Sequence, residues 1–345
     1  MLPAEVLAKA QAELINYNGT GMSVMEMSHR SGAYKAIIEA ADADFRKVMG
    51  ISDEYEVLFL QGGASLQFSM LPANLTVKGK AQYINSGYWT KKAIKEAKLY
   101  TNVDIIASTE DVNFAYVPDF SDAKFDGDYV YMTSNNTIYG TEFFSFPKTG
   151  DVPLIADMSS DIMSRPLNID DFGVIFAGAQ KNIGPSGLTV VIMRKDLIKE
   201  PATALPTMMK YTTHAENGSM FNTPPTYGIY MAGLVFKWVL ELGGLEAIEK
   251  INIEKAKTLY DFIDNSSFYN APVRADSRSR MNVVFATPNA DLDKAFASQA
   301  AKAGLTSLAG HRAVGGLRAS IYNAMPIEGV NALIDFMKEF ELANK

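Results

Sequence analysis

The sequence has no cysteine in its 345 residues. That absence removes disulfides, thiolate metal sites and thiol nucleophiles together. Basic runs are also missing, and the formal net charge is −7, so general attraction to nucleic acid or to an anionic membrane surface is not expected. Any anion site must therefore be local. Long apolar runs are absent as well: the most apolar stretch, Met231 to Leu242, is broken by Lys237 and falls short of the ~20 residues a spanning helix needs. The first residues, Met1-Leu2-Pro3-Ala4-Glu5, lead into an amphipathic segment with Leu7, Ala10 and Leu14 on one side. They lack the basic-then-apolar order of a secretion signal. A soluble, cytoplasmic protein with no membrane or nucleic-acid partner is the expectation. Neither an internal repeat nor a low-complexity tract occurs.

What is present suffices for a large core, with 48% of residues hydrophobic, and the length suggests two domains. Short runs rich in β-formers recur at Glu56 to Leu60, Ala81 to Ile84, Val103 to Ala107, Tyr129 to Met132, Leu154 to Ala156, Val174 to Ala177 and Leu188 to Met193. Helix-period segments such as Ala64 to Leu71 and Tyr88 to Ala97 lie between them, the alternation of a largely parallel α/β sheet wrapped by helices. After Pro224-Pro225, a helix carrying Met231, Leu234, Val235, Trp238, Val239 and Leu242 stops at Gly243-Gly244. Beyond it, helix (245–262), strand (281–286), helix (292–303), strand (317–322) and helix (327–342) read as a smaller α+β unit.

Four groups of residues carry possible chemistry. In Leu60-Gln61-Gly62-Gly63-Ala64-Ser65-Leu66 a strand enters a helix through small residues, so bare amides at that helix start suit a phosphate. The turn lacks both the nucleotide P-loop and the dinucleotide glycine spacing. Asp157 ends an apolar strand, where it either caps the next turn or pairs with a cationic ring nitrogen. Lys181 follows Val174-Ile175-Phe176-Ala177-Gly178-Ala179-Gln180, where partial desolvation would make its neutral amine available as nucleophile and base. Finally, two of the three histidines stand directly before an arginine, in Ser28-His29-Arg30 and Gly310-His311-Arg312. With Arg318 they suit a ligand with two anionic ends.

Taken in order, these groups resemble the phosphoserine aminotransferases, class-V, fold-type I enzymes that use pyridoxal 5'-phosphate. The resemblance runs over essentially the whole chain. It is carried by Met27-Ser28-His29-Arg30-Ser31, Tyr83-Ile84-Asn85-Ser86-Gly87-Tyr88-Trp89, Ala156-Asp157-Met158-Ser159-Ser160-Asp161, Gly178-Ala179-Gln180-Lys181-Asn182-Ile183-Gly184-Pro185, Phe221-Asn222-Thr223-Pro224-Pro225 and the segment from Gly310 to Arg318. It implies a large domain (13–243) with a mainly parallel seven-stranded sheet, and a small C-terminal domain (244–345) on which residues 1–12 pack. Lys181 would hold the cofactor as a Schiff base, Asp157 would face its ring nitrogen, Trp89 would stack on the ring and Thr137 would bond near its phenolic oxygen. Ala64, Ser65 and Gln180 would take the phosphate, joined by Asn222 and Thr223 from a neighbouring subunit of a homodimer. Arg318 would take the substrate α-carboxylate, and His29, Arg30, His311 and Arg312 its other anionic end. No metal is implied.

The implied reaction is amino transfer between O-phospho-L-serine and 2-oxoglutarate, with L-glutamate as the second amino acid, in serine biosynthesis. Whether 4-phosphohydroxy-L-threonine of pyridoxine biosynthesis is also a substrate stays open. The rivals are a serine- or alanine-glyoxylate type aminotransferase and a non-catalytic anion-binding protein on the same fold; a cysteine desulfurase lacks its nucleophile here. Two departures stand out. The family opens with a short loop ending Ala-Gly-Pro that is missing before Met1-Leu2-Pro3, and many relatives carry more glycine in the phosphate turn, including at Leu66.

Overall fold

The computed structural model describes residues 1–312 and 314–345. Ala313, within the Gly310 to Arg318 motif, lies outside the described residues. The strands in chain order are β1 (Tyr55–Leu60), β2 (Lys80–Asn85), β3 (Asn102–Ser108), β4 (Val130–Thr133), β5 (Asn135–Asn136), β6 (Thr141–Glu142), β7 (Leu154–Asp157), β8 (Val174–Gly178), β9 (Thr189–Arg194), β10 (Asn282–Phe285) and β11 (Leu317–Ser320). The α-helices are α1 (Ala4–Ala12), α2 (Gly32–Met49), α3 (Gly63–Leu75), α4 (Tyr88–Ala97), α5 (Tyr211–Glu216), α6 (Thr226–Glu241), α7 (Leu245–Asn265), α8 (Ala290–Lys302) and α9 (Ile327–Asn344).

Seven strands form one sheet in the order β1-β9-β8-β7-β4-β2-β3. Neighbours from β8 through β7, β4 and β2 to β3 are parallel, whereas β9 runs antiparallel to both β8 and β1. Alternation along the strands divides the core. Val57, Ile84, Val130, Met132, Ala156, Ile175, Val190 and Ile192 face one apolar cluster, completed by α2 and α6. The intervening residues, among them Leu58, Tyr83, Tyr131, Ile155, Phe176 and Val191, face a second cluster under α3, α4 and α5. A third gathers α7, α8, α9 and the antiparallel β10–β11 pair around Phe285 and Phe296.

Local chemistry sets the element ends. Ser31 caps α2 by accepting the Tyr34 amide at 3.2 Å, and Gly50, at φ 68°, ends it in the left-handed conformation that suits a helix C-terminus. Between those ends Tyr34, Ile37, Ile38, Ala41, Phe45 and Val48 are buried, a helical stripe that packs on α6 with Phe45 stacked on Phe236 at 4.6 Å.

The first helix requires a correction. Expected against the C-terminal unit, α1 instead sends Val6 and Ala10 into the first cluster with α6, and the Tyr230 hydroxyl donates to Glu13 at 2.6 Å. The apolar side of α1 is narrow, and the apolar residues of α6 offer it the nearest continuous cover.

Candidate active site

The parallel strands β2, β4, β7 and β8 end on one edge of the sheet, and ligands of such sheets gather there. Antiparallel pairing of β9 with both neighbours brings the end of β1 to that same edge, since Leu60 and Gly178 both pair with Thr189. Asp157, the last residue of β7, lies between Thr133 of β4 and Phe176 of β8. Lys181 follows β8 in a tight turn in which the Ile183 and Gly184 amides both bond back to the Ala179 carbonyl. A cavity of about 160 Å³ opens between these ends, lined among others by Ala64, Ser65, Trp89, Thr137, Asp157 and Lys181.

Asp157 is buried. Its Oδ1 accepts the Ser159 amide at 2.9 Å and the Ser159 hydroxyl at 2.6 Å, and the same hydroxyl oxygen accepts the Gly178 amide at 3.1 Å. Ser159 therefore ties the ends of β7 and β8 together and, among the described residues, leaves Oδ2 of Asp157 without a protein donor. Burial raises the Asp157 carboxyl above the usual carboxylate range, against the pull of the Ser159 bonds and the Lys181 charge. A carboxylate held this way favours a cation opposite it.

The Lys181 Nζ donates to the Thr137 hydroxyl at 2.8 Å. Burial lowers this ammonium to about 8, opposed by Asp157 and reinforced by the Arg318 charge. Thr137 sits in the turn between β5 and β6, and its carbonyl accepts from Nη1 of Arg318 on β11 at 3.2 Å. Among the described residues the buried Arg318 Nε has no acceptor. Lysine and arginine thus converge on one threonine from well-separated parts of the chain.

At the far side, Gly62 at φ 89° and Gly63 at φ 67° turn β1 into α3. The first helical bond there runs from the Leu66 amide to the Gly62 carbonyl, so the amides of Gly63, Ala64 and Ser65 have no acceptor within the helix. A Cβ on Gly62 would run into the Leu66 side chain: the bare turn and the leucine fit one another.

Gln180 joins the cavity wall, while Asn222 and Thr223 do not; both are exposed, and the Thr223 carbonyl accepts from Gln61 at 3.0 Å. His29 and Arg30 form the turn before α2, bonded to each other at 3.5 Å, and are likewise absent from the lining. Arg312 is exposed, and the His311 ring lies 5.1 Å from that of Tyr88, which contacts Trp89 edge-on at 5.2 Å.

Some lining residues have weak sequence signals. Ser159 stands two after Asp157, the spacing of a turn closed by an aspartate, and Phe68 lies one helical turn from Ala64. Asn135, which donates to Ser160 and to Asn282 at 2.8 Å each, has no local signal, because its partners come from 25 and 147 residues away.

These residues fit pyridoxal phosphate. The free amides of α3 suit a phosphate, the open oxygen of Asp157 suits a protonated ring nitrogen, and the depressed Lys181 suits an aldehyde. Trp89 lines the same cavity, its indole Nε1 buried and without a partner among the described residues.

Similarity to known proteins agrees with that chemistry. The sequence pattern of the aminotransferase class-V family matches residues 1–333. A phosphoserine aminotransferase of Lysinibacillus sphaericus is 54% identical over 344 residues, covering 99% of this chain and 95% of its own. A phosphoserine aminotransferase structure from Bacillus circulans subsp. alkalophilus superposes with a TM-score of 0.98 at 48% identity, covering 100% of this chain and 97% of that one. A phosphoserine aminotransferase from Trichomonas vaginalis, solved with PLP bound, has a TM-score of 0.94 at 40% identity and covers 98% and 97%.

Proposed function

The chain belongs to the aminotransferase class-V family, and from that membership we propose that it catalyses amino transfer between O-phospho-L-serine and 2-oxoglutarate in serine biosynthesis, with pyridoxal phosphate as cofactor. The observation that carries this reading is the convergence of Lys181, Asp157 and the bare start of α3 on one cavity. The rival readings are not favoured, given the identity to phosphoserine aminotransferases over the full chain.

Bound in the cavity, pyridoxal phosphate supplies an electron sink for negative charge developing at the substrate Cα. Asp157 would keep the ring nitrogen protonated, and Ser159 fixes the carboxylate in place. Lys181 would hold the cofactor and would serve as the base on the substrate Cα proton, its lowered pKa leaving a useful neutral fraction near neutral pH. Thr137 receives the lysine head and bonds near the phenolic oxygen. Ala64, Ser65 and Gln180 bind the phosphate, and Trp89 covers the ring.

Arg318 anchors the α-carboxylate shared by phosphoserine and glutamate, while His311 and Arg312, with His29 and Arg30, receive the second anionic end. Residues 13–243 and 244–345 act as the cofactor-binding and smaller domains. Asn222 and Thr223, exposed in the single chain, complete the phosphate site of a second copy in a homodimer. No single helix among the described residues is long and apolar enough to cross a membrane, and we place the enzyme in the cytoplasm.

The test is spectroscopic and chemical. Purified protein with cofactor absorbs in the visible, borohydride abolishes the band, and the reduced label maps to Lys181. Phosphoserine converts the loaded protein to the amine form in a single turnover. A Lys181→Ala protein that keeps full turnover would overturn the assignment.

A further inference from the structure

Beyond Arg318 the chain leaves β11 into a buried polar junction that the proposed chemistry does not use. Lys255, on α7, is fully buried. Its Nζ donates to three successive carbonyls, Ile321 at 3.1 Å, Tyr322 at 2.9 Å and Asn323 at 3.3 Å. Burial lowers its ammonium to about 8, and among the described residues no carboxylate offsets that effect.

Asn323 is equally committed. Its amide donates to Asn182 Oδ1 at 3.1 Å, its Nδ2 to the Met163 carbonyl at 2.8 Å, and its Oδ1 accepts from Asn252 at 2.9 Å. With its carbonyl on Lys255, every polar group of Asn323 is engaged. The acceptor Met163 is itself buried at φ 60°, a conformation that is costly for a bulky L-residue and persists where neighbours impose it. Asn182 is anchored to the same segment through the Ile162 carbonyl at 2.9 Å, and Asn252 through the Ser164 carbonyl at 3.0 Å.

A buried ammonium without a counter-ion is a poor way to stabilise a core, and an apolar side chain of similar length would cost less. What the lysine adds is geometry: it draws three consecutive carbonyls to one point and so fixes the path of the chain where β11 ends. That path lies three residues from Arg318 at Ile321, while Asn182 is the neighbour of Lys181. The junction therefore ties the segment after Lys181, which lines the cavity, to the segment after Arg318, which bonds the cavity residue Thr137, and displacements of about 1 Å at such groups can cost about two orders of magnitude in rate.

We propose that Lys255 and Asn323 are positioning residues that hold Arg318, as α-carboxylate anchor, in register with Lys181. The proposal rests on the assignment of Arg318 made above.

The test uses the cofactor-loaded enzyme and two ligands, O-phosphoserine and O-phosphoethanolamine, which shares the phosphate and amine but has no α-carboxylate. Binding is measured by calorimetry for the parent, Arg318→Ala, Lys255→Met and Asn252→Ala. Arg318→Ala weakens phosphoserine and leaves phosphoethanolamine within about twofold. Lys255→Met shows the same selectivity, losing about tenfold for phosphoserine alone, with the cofactor absorption band retained. Asn252→Ala, which keeps the lysine and removes the bonds to Asn323 and to the Ser164 carbonyl, follows in the same direction and decides the matter if Lys255→Met does not fold. Equal loss for both ligands, or none, in the Lys255 and Asn252 variants while Arg318→Ala discriminates would overturn the positioning role. Failure of Arg318→Ala to discriminate would instead overturn the carboxylate assignment, and the proposal with it.

Discussion

Lys181 is placed where burial and charge act against one another. Burial brings its ammonium to about 8, and Asp157 keeps it from falling further. The reactive amine is the neutral form, so cofactor capture by the apoprotein should accelerate as pH rises through about 8 and level off above it, well below the ordinary lysine value of 10.5. Stopped-flow absorbance after mixing with pyridoxal phosphate measures this; a rate still climbing towards pH 10 would contradict it. Linkage gives a second consequence. Because the folded-state pKa lies below the unfolded one, the folded chain binds fewer protons between about 8 and 10.5, and stability rises with pH across that window. Below about 8 the cost is fully present, so Lys181→Met should stabilise the apoprotein at pH 7 by about 1–2 kcal/mol after allowance for the half-buried setting, read from urea midpoints. The substrate side divides by charge: Arg318→Ala should weaken phosphoserine and glutamate alike, whereas His311→Ala should raise KM about tenfold for phosphoserine and at most twofold for glutamate. Equal effects of the second change would remove His311 from the phosphate end.

At the scale of elements, the junction of β1 and α3 is where a backbone requirement and a ligand requirement coincide. Gly62 needs its positive φ, and its bare Cα makes room for Leu66, while the amides that follow are left unpaired. Gly62→Ala should destabilise the fold by about 1–3 kcal/mol from backbone strain and overlap and raise the cofactor dissociation constant at least tenfold, measured by equilibrium dialysis. Unchanged cofactor affinity would separate the turn from the phosphate. The strand-helix order of this region is legible in sequence because each β-rich run alternates with a helical period, and the ends of β7 and β8 carry Asp157 and Lys181 in plain view. Direction and neighbour order are another matter. The first strand in the chain lies at an edge beside β9, and nothing in the Leu188 to Met193 run says that it points against its neighbours, since a buried strand is apolar in either sense. Asn135 and Ser160 were not legible as lining residues for the same reason, as hydrogen bonds across the fold leave no local pattern.

The whole molecule presents two sets of proposed site residues in two different situations. Lys181, Asp157, Thr137 and Ala64 share a cavity within one chain, while Asn222 and Thr223 are exposed ahead of α6. An exposed polar pair suits either solvent or a second copy, and a two-fold homodimer would let each chain complete the other's phosphate site. Complementation distinguishes the cases without any assumption about affinity. One variant, Lys181→Ala, keeps Asn222 and Thr223; the other, Asn222→Ala with Thr223→Ala, keeps Lys181. Unfolding the two together and refolding them as a mixture produces about half mixed dimers, and in each of these one of the two sites has an intact lysine facing an intact pair. Activity of the mixture should then climb to about a quarter of the parent value, above the mean of the separate variants. If Asn222 and Thr223 served their own chain, the mixed dimers would contain no complete site, and activity would stay at that mean whatever the ratio of the two proteins.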